Sequence, residues 1–339
     1  MKIKFKHLSL FSGCGGMDIG INGNFYVLGK FLGSKKKWVK VPKTKFETIF
    51  ANDIKESSKI FWQENFRSKK ITFKNESIVD LVKKHNNGSN IFPKNVDLVT
   101  GGFPCQDFSV SGWRKGFESH KSHLNTNIIK NKNETRGKLY LWMKEVIKIT
   151  KPKVFIAENV KGLSNMKNIF EIIKNDFINT GKGYKVFSTE LFAPDFGIPQ
   201  SRKRIFFIGI RLDFIKKNHI NLEDLDIFPE KEFSDKDTLF KKYFKYPKSK
   251  DFFTDLKEPE IEKKDLSQMA YSKAKYLPNL QGNIEVNENG FAPTIRSEHH
   301  GNIEFRYLKK SNGGKNIDNK KKLQRRLTVR ECARIQTFP

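Results

Sequence analysis

Residues 96–109 read VDLVTGGFPCQDFS, the stretch that carries the candidate reactive group of the chain. Its first five residues form an apolar run that predicts a short buried strand, and the strand ends in a glycine-rich loop. Two glycines let the backbone approach a ligand closely, and Pro104 fixes the direction of the turn. The thiol of Cys105 at that strand end is a candidate nucleophile. Taken alone, such a cysteine is more typical of a small buried apolar side chain.

Similar apolar runs recur along the first 211 residues and alternate with helical patterns. Residues 154–157 predict a fully buried strand, and residues 54–66 and 139–149 have the periodicity of helices. Further strands are predicted at residues 7–11, 46–51, 185–192 and 205–210. This alternation predicts an α/β domain built on a doubly wound, mostly parallel sheet.

The first predicted strand runs into the turn FSGCGG at residues 11–16, which is followed by a helix start. This order opens a nucleotide-binding type of α/β unit, although the spacing is not that of the GxGxxG dinucleotide pattern and an ordinary turn is the alternative. The second predicted strand ends at Asp53. An acidic side chain there suits the diol of a ribose, and capping of the next helix is a second role that can coexist with it.

Lysine and arginine exceed aspartate and glutamate along the whole chain of 339 residues, and the formal net charge is +28. Such a charge favours a polyanionic partner, with nucleic acid first, while a lysine-rich composition without functional meaning is the alternative. The three cysteines, Cys14, Cys105 and Cys332, are too few and too far apart to predict a disulfide framework or a metal site. The sequence lacks a signal peptide and a membrane-spanning apolar run, so we expect a cytoplasmic protein without a membrane partner.

The alternation of strands and helices stops after Arg211. Residues 212–324 predict a second, smaller and irregular domain, whose most chemically dense piece is APTIRSEHHGN at residues 292–302. Residues 325–339 begin a short helix that Thr328 caps, and Glu331 three residues later completes a capping box.

Five motifs, in this order, resemble those of the DNA (cytosine-5)-methyltransferases of bacterial restriction-modification systems. They are FxGxGG at 11–16, GGFPCQ at 101–106, ENV at 158–160, QxRxR at 200–204 and RxLTxRECARIQTFP at 325–339. The resemblance covers almost the whole chain and implies the fold of S-adenosylmethionine-dependent methyltransferases. The CFT signature of the RNA-type enzymes is absent, which makes an RNA cytosine methyltransferase the less favoured class.

The resemblance also implies a covalent mechanism. Cytosine C5 is a poor nucleophile, but attack of a thiolate on C6 creates an enamine whose C5 can accept a methyl group. Cys105 would be that thiolate, because a serine hydroxyl is mostly protonated at neutral pH. Glu158 would hold or protonate the ring at N3. Arg202 and Arg204, which would share one face of a strand entry, would contact the base carbonyl and a nearby phosphate.

Cofactor contacts are implied in the same way, with Asp53 on the ribose hydroxyls and Ile54 on the adenine of S-adenosylmethionine. Ser77 stands where the family usually has an aspartate for the adenine amino group, so this contact departs from the family pattern. The implied cofactor-binding residues are Phe11, Gly13, Gly15, Gly16, Asp53, Ile54, Ser77 and Pro104.

Because a duplex hides C6 of cytosine, the base must be flipped out of double-stranded DNA. The implied DNA-binding residues are Gln106, Ser109, Ser111, Thr294 and Arg296. The resemblance implies a catalytic and cofactor-binding domain at 1–211, a target-recognition domain at 212–324 and, at 325–339, the start of a segment returning to the catalytic domain.

The family has a further motif, an asparagine-containing helix downstream of the FP pair, whereas this chain stops at Pro339. The resemblance leaves open a truncated gene product, a fragment, or one part of a split enzyme whose second polypeptide supplies the motif. A cognate restriction endonuclease is a further expected partner. The alternative function is that of a catalytically weak DNA-binding remnant.

Overall fold

The computed structural model describes residues 4–29, 38–66, 71–104, 138–234, 244–253, 256, 284–295, 304–307 and 324–338. Two compact units are found. The first comprises Met1–Phe25, Lys40–Leu191 and Lys203–Pro229, and the second comprises Tyr26–Val39, Phe192–Arg202 and Glu230–Pro339. The boundaries predicted from the sequence, at residues 211 and 324, stay a prediction.

The strands and helices of the described residues are numbered in chain order. The strands are β1 (Phe5–Leu10), β2 (Tyr26–Leu28), β3 (Trp38–Lys40), β4 (Phe46–Asn52), β5 (Thr72–Lys74), β6 (Leu98–Gly102), β7 (Val154–Val160), β8 (Tyr184–Phe192), β9 (Lys203–Arg211), β10 (Phe233–Ser234), β11 (Phe244–Lys245), β12 (Ile284–Glu285), β13 (Glu304–Tyr307) and β14 (Gln324–Arg326). The helices are α1 (Gly16–Asn22), α2 (Glu56–Asn65), α3 (Ile78–Asn86), α4 (Leu139–Thr150), α5 (Lys167–Ile178), α6 (Leu212–Lys217) and α7 (Val329–Ile335).

Seven of these strands form one sheet in the order β5-β4-β1-β6-β7-β9-β8. The pairs from β5 to β7 are parallel, and β9 runs antiparallel to β7. The prediction of a mostly parallel α/β sheet is confirmed. The strands that follow β1 in this sheet lie on opposite sides of it, so a crevice is expected beyond the carboxyl end of β1, where ligands of open α/β sheets bind.

The core follows from the apolar pattern of the elements that cover the sheet. In α4 the buried side chains include Leu139, Met143 and Val146, which recur every three or four residues and therefore share one face. In β6, Leu98 and Val99 are both buried, as expected for a strand covered on both faces. Burial of each such side chain contributes about 1.5–3 kcal/mol. The carboxyl ends of the strands are thereby held on a rigid support.

Residues 23–45 lack periodicity in the sequence and would be expected to form a surface loop. The structure instead pairs β2 with β3 in a small two-stranded sheet. Three-residue strands carry too little pattern to be recognised from sequence.

In the second unit, the predicted capping box of α7 is confirmed. The Thr328 hydroxyl accepts from Glu331 N at 3.1 Å, and the Glu331 carboxylate accepts from Thr328 N at 2.9 Å. The same carboxylate pairs with buried Arg306, which also pairs with Glu288 at 2.8 Å and covers the Phe253 ring. The last motif therefore has a structural role in anchoring α7 to β13. None of the helices in the described part of the chain has the length and apolar character required to span a bilayer.

Candidate active site

The glycine-rich turn leaves β1 at the centre of the sheet edge. Phe11, directly after β1, has a φ of 51°, and Gly13 and Gly15 have φ values of 55° and 87°. A left-handed backbone is rare for a phenylalanine, and such strain concentrates at binding sites. A Cβ added at Gly13 or Gly16 would meet nothing within 4 Å, so this backbone is open to a ligand.

Asp53 ties this turn to the end of β4. Its carboxylate accepts from Gly13 N at 2.9 Å through Oδ2 and from Lys55 N at 2.9 Å through Oδ1. The N-cap of α2 is Lys55, so Asp53 stabilises the turn before the helix and is not its N-cap residue. A carboxylate has about four lone-pair directions, and its remaining ones can accept from the hydroxyls of a ribose.

Ile54 and Ser77 line one open cavity of about 490 Å³, together with Asp80 and four other residues. Ile54 is 45% exposed, an unusual exposure for isoleucine and one that suits a flat apolar ligand such as adenine. The Ser77 hydroxyl accepts from Val79 N at 3.3 Å and thereby caps α3. The structure thus groups these two residues in one cavity, whose lining does not include the glycine-rich turn.

Glu158 lies near the carboxyl end of β7, directly opposite Gly102 of β6. Its Oε1 accepts from Arg204 Nε at 2.8 Å, and both side chains are about four-fifths buried. An added Cβ on Gly102 would lie 3.2 Å from Glu158 Oε2. A side chain at the second glycine of the GGFPC motif would therefore displace this carboxylate by a few tenths of an ångström.

Asn159 is a residue of the site that the sequence analysis did not assign. Its buried side chain donates to the Phe103 carbonyl at 3.3 Å and accepts from Val160 N at 2.8 Å. Phe103 immediately precedes Pro104, so this amide holds the start of the cysteine-bearing loop against β7. Asn159 follows a predicted buried strand in the ENV motif, and a buried asparagine requires hydrogen-bond partners for its amide. This position could have indicated its structural role from the sequence.

The two arginines of QxRxR are not equivalent. Arg204 lies on β9, whereas β9 begins at Lys203 and Arg202 precedes it. Arg202 N–H donates to the Gln200 carbonyl at 2.7 Å, and the Arg202 carbonyl accepts from Ala193 N at 2.9 Å. That both guanidinium groups share one face of the strand entry stays a prediction.

In the second unit, Thr294 donates its hydroxyl to the Ser201 carbonyl, which joins residues 292–295 to the QxRxR turn. Ala292 and Gln200 also form a parallel bridge. The remaining predicted residues, Cys105, Gln106, Ser109, Ser111 and Arg296, lie outside the described residues.

The surroundings of Cys14, in the glycine-rich turn, do not activate its thiol. Partial desolvation raises the pKa of the Cys14 thiol, and the carboxylates of Asp18 and Asp53 raise it further, although two backbone hydrogen bonds act in the opposite direction. A thiol in such surroundings forms little thiolate at neutral pH. Cys14 is therefore a poor candidate for the nucleophile.

Together, these residues place a carboxyl group, a guanidinium that pairs with it, and an open glycine-rich backbone at the same sheet edge. Among the described residues, no group of three or more His, Cys, Asp and Glu side chains is arranged to hold a metal ion. The Glu158 carboxyl, fixed by Arg204, is of a kind that can serve acid–base chemistry.

Comparison with known proteins identifies the family. The family model described as C-5 cytosine-specific DNA methylase matches residues 5–339. The Type II methyltransferase M.FnuDI of Fusobacterium nucleatum is 30% identical over 353 residues, which cover 98% of this chain and 84% of that protein. The Type II methyltransferase M.Bsp6I of Bacillus sp. (strain RFL6) is 28% identical over 345 residues, which cover 98% and 86%.

Two solved structures have a similar fold. The S. pombe Dnmt2 methyltransferase aligns with a TM-score of 0.55 at 18% identity, over 99% of this chain and 87% of that one. The Entamoeba histolytica methyltransferase EhMeth aligns with a TM-score of 0.53 at 16% identity, over 98% and 85%. At these identities the similarity shows the mixed α/β fold alone.

Proposed function

Because the chain belongs to the C-5 cytosine-specific DNA methylase family, we propose that it methylates C5 of a flipped-out cytosine in duplex DNA through a covalent bond between Cys105 Sγ and cytosine C6. The observation that best supports the proposal is the Glu158–Arg204 pair, in contact range of Gly102, three residues before Cys105. A carboxyl group fixed in this way can serve proton transfer to a ring nitrogen.

The proposed reaction assigns a role to each of these residues. The Cys105 thiolate adds to C6 while Glu158 gives or shares a proton at N3, so that the ring electrons accumulate on C5. Arg204 holds the Glu158 carboxyl in place and contacts the base carbonyl, and Arg202 contacts a phosphate. After C5 has gained its methyl group, a base removes the C5 proton, the C6–S bond breaks and the N3 proton returns to Glu158, which regenerates the thiolate and releases neutral 5-methylcytosine.

S-adenosylmethionine, when bound, supplies the methyl group on an electrophilic sulfonium. The open backbone at Gly13 and Gly16 fits a ligand at the centre of the sheet edge. We propose that Asp53 accepts from the ribose hydroxyls, that Ile54 packs on the adenine, and that Phe11, Gly15 and Pro104 complete the contacts. Ser77, which caps α3, borders the adenine end of the same cavity as Ile54.

DNA binding is proposed to use the net charge of +28, because phosphate neutralisation dominates the affinity of proteins for DNA. Gln106, Ser109 and Ser111 would contact the flipped nucleotide and its neighbours. In the target-recognition domain proposed at 212–324, Thr294 and Arg296 would contact the DNA. The relatives that are named Type II methyltransferases support a place in a restriction-modification system. A cognate endonuclease and a cytoplasmic location are further parts of the proposal.

The proposal is tested with tritium-labelled S-adenosylmethionine, using duplex DNA and tRNA as alternative substrates. We expect label in the DNA alone, recovered as 5-methylcytosine. Glu158→Gln should lower the rate by about 10²–10⁴-fold, the range of general acid–base catalysis. Glu190→Gln is the matched control, because Glu190 on β8 forms long ion pairs with Lys161 and Lys203, of 3.6 and 3.8 Å, and has no part in the proposed reaction.

Label in tRNA but not in DNA would assign the chain to the RNA cytosine methyltransferases. DNA binding without any transfer would favour the DNA-binding remnant. Either outcome would contradict the proposed function.

A further inference from the structure

A second carboxylate lies beneath the glycine-rich turn, and the reaction described above gives it no role. Asp18 is in the first turn of α1 and is completely buried. Its Oδ2 accepts from the indole N–H of Trp62 on α2 at 3.2 Å. Aspartate is almost never fully buried without partners, so this position requires an explanation.

Trp62 connects Asp18 to the turn itself. A Cβ added at Gly15 would lie 2.8 Å from Trp62 Cδ1 and 3.2 Å from Trp62 Nε1. The indole edge that donates to Asp18 therefore also lies against the Gly15 backbone. Phe66 stacks on the indole at 4.5 Å between ring centroids, and Phe73 packs against it at 5.3 Å. The ring is held on these sides, and the Asp18 hydrogen bond sets its rotation.

The second carboxylate oxygen of Asp18 lacks a hydrogen bond. This atom, Oδ1, is buried. His7 Nδ1 lies 3.9 Å from it, but this ring bonds to Thr48 at 2.9 Å and to Thr100 at 2.8 Å. An apolar residue at this position would avoid the free-energy penalty of burying a carboxylate with one unpaired oxygen. The retained carboxylate therefore points to a role beyond packing.

We propose that Asp18 is a positioning residue for the cofactor-binding turn, acting through Trp62 to hold the Gly15 backbone in its left-handed conformation. The inference rests on the proposed function, because it gives the turn a ligand to bind. Asp18 does not touch the cofactor in this proposal. It fixes the indole, the indole supports Gly15, and Gly15 sets the path of the open backbone at Gly13 and Gly16.

The proposal predicts a pH dependence with a definite sign. Burial raises the pKa of Asp18 to about 6, although the hydrogen bond from Trp62 opposes the shift. A protonated carboxyl is a weaker acceptor for the indole N–H than a carboxylate. Cofactor affinity should therefore fall as the pH drops below about 6. The neighbouring titratable groups are His7 on β1, whose pKa burial lowers to about 3, Cys14 in the turn, and Asp53 after β4.

The test measures S-adenosylmethionine binding by calorimetry and the single-turnover rate at saturating cofactor. Asp18→Ala should raise the Kd about tenfold, as expected for a charged hydrogen bond, while the saturated rate and the DNA affinity stay unchanged. Asp18→Asn keeps an acceptor for the indole, so it should restore most of the affinity and should lose the pH dependence near 6.

Tyr184→Phe is the matched control, because it removes another buried hydrogen bond, from the Tyr184 hydroxyl to the Pro152 carbonyl at 2.9 Å on β8. If Asp18→Ala fails to fold, Trp62→Phe carries the test, since it keeps an aromatic ring but lacks the N–H, and it should raise the Kd similarly. An unchanged Kd in folded Asp18→Ala or Trp62→Phe, or an equal rise of the Kd in Tyr184→Phe, would overturn this inference and leave the proposed function standing. Absence of cofactor binding by the wild-type chain would overturn the proposed function and the inference with it.

Discussion

Gly102→Ala is the substitution that most directly perturbs the geometry of the carboxyl group without touching its chemistry. The added Cβ would lie 3.2 Å from Glu158 Oε2, closer than normal van der Waals contact, so the carboxylate must shift by a few tenths of an ångström. It cannot turn away freely, because its other oxygen is held by Arg204 Nε at 2.8 Å. The methyl group therefore strains this ion pair.

The expected cost falls on the rate and not on the fold. A misplacement of about 1 Å at a reacting group can cost about 10²-fold, so for this smaller shift we expect the single-turnover methylation rate to fall about tenfold. Stability should stay unchanged or rise by up to about 1 kcal/mol, because alanine loses less backbone entropy than glycine on folding. Gly102 is extended and has no positive φ that would penalise alanine.

The assay compares Gly102→Ala with Gly101→Ala by rapid-quench methylation and by chemical denaturation. The Cβ of Gly101→Ala would meet Met143 Sδ at 2.9 Å on the other face of β6, so that variant should lose stability by overpacking the core. The two neighbouring glycines should thus give opposite patterns. A Gly102→Ala variant with the full wild-type rate would refute the reasoning.

Three further predictions concern the same sheet edge. Arg204→Lys should lower the single-turnover rate about tenfold or more, because lysine lacks the Nε–H that holds Glu158, whereas Lys203→Arg should not; equal rates would contradict this role. Gly15→Ala should weaken cofactor binding and lower the unfolding free energy by about 1–2 kcal/mol or more, because Gly15 has a φ of 87° and an added Cβ would clash with Trp62. Gly20→Ala, which adds its Cβ in open space, should do neither. Calorimetry measures the cofactor affinity, and denaturation measures the stability. As the pH falls from 7 to 5, His7, which stays neutral in the folded chain, should lower the unfolding free energy by about 2 kcal/mol, and proton uptake by folded Asp18 should raise it by about 1 kcal/mol. Asp18→Asn lacks the second contribution and should lose stability more steeply than the wild type over this range. Parallel pH profiles of the two chains would rule out this coupling.

The sign of the pH effect follows from the two shifts. The pKa of His7 is lowered from 6.5 to about 3, so only the unfolded chain takes up a proton between these values and stability falls as the pH falls. The pKa of Asp18 is raised from 3.8 to about 6, so the folded chain takes up the proton first and stability rises as the pH falls through 6.

The sheet could be predicted from sequence because its signals are local. The apolar run at residues 96–100 predicted β6, although the strand continues through Gly101 and Gly102 instead of ending before them, and the strand before Glu158 was equally clear. The Thr328–Glu331 capping box is likewise encoded within four residues.

The remaining features depend on contacts between distant segments, which no local pattern carries. Asp18 meets Trp62 across 44 positions of sequence, and Asn159 meets the Phe103 carbonyl across 56.

The most direct test of the proposed mechanism is covalent trapping on a duplex that carries 5-fluorocytosine in a methylation site. Fluorine cannot leave C5 as a proton does, so a true C6 adduct accumulates and survives denaturing electrophoresis. The wild-type chain, Cys14→Ala and Cys332→Ala should all form the complex, whereas Cys105→Ala should bind the same DNA without forming it. Trapping that persists in Cys105→Ala but disappears in Cys14→Ala or Cys332→Ala would contradict the assignment of the nucleophile.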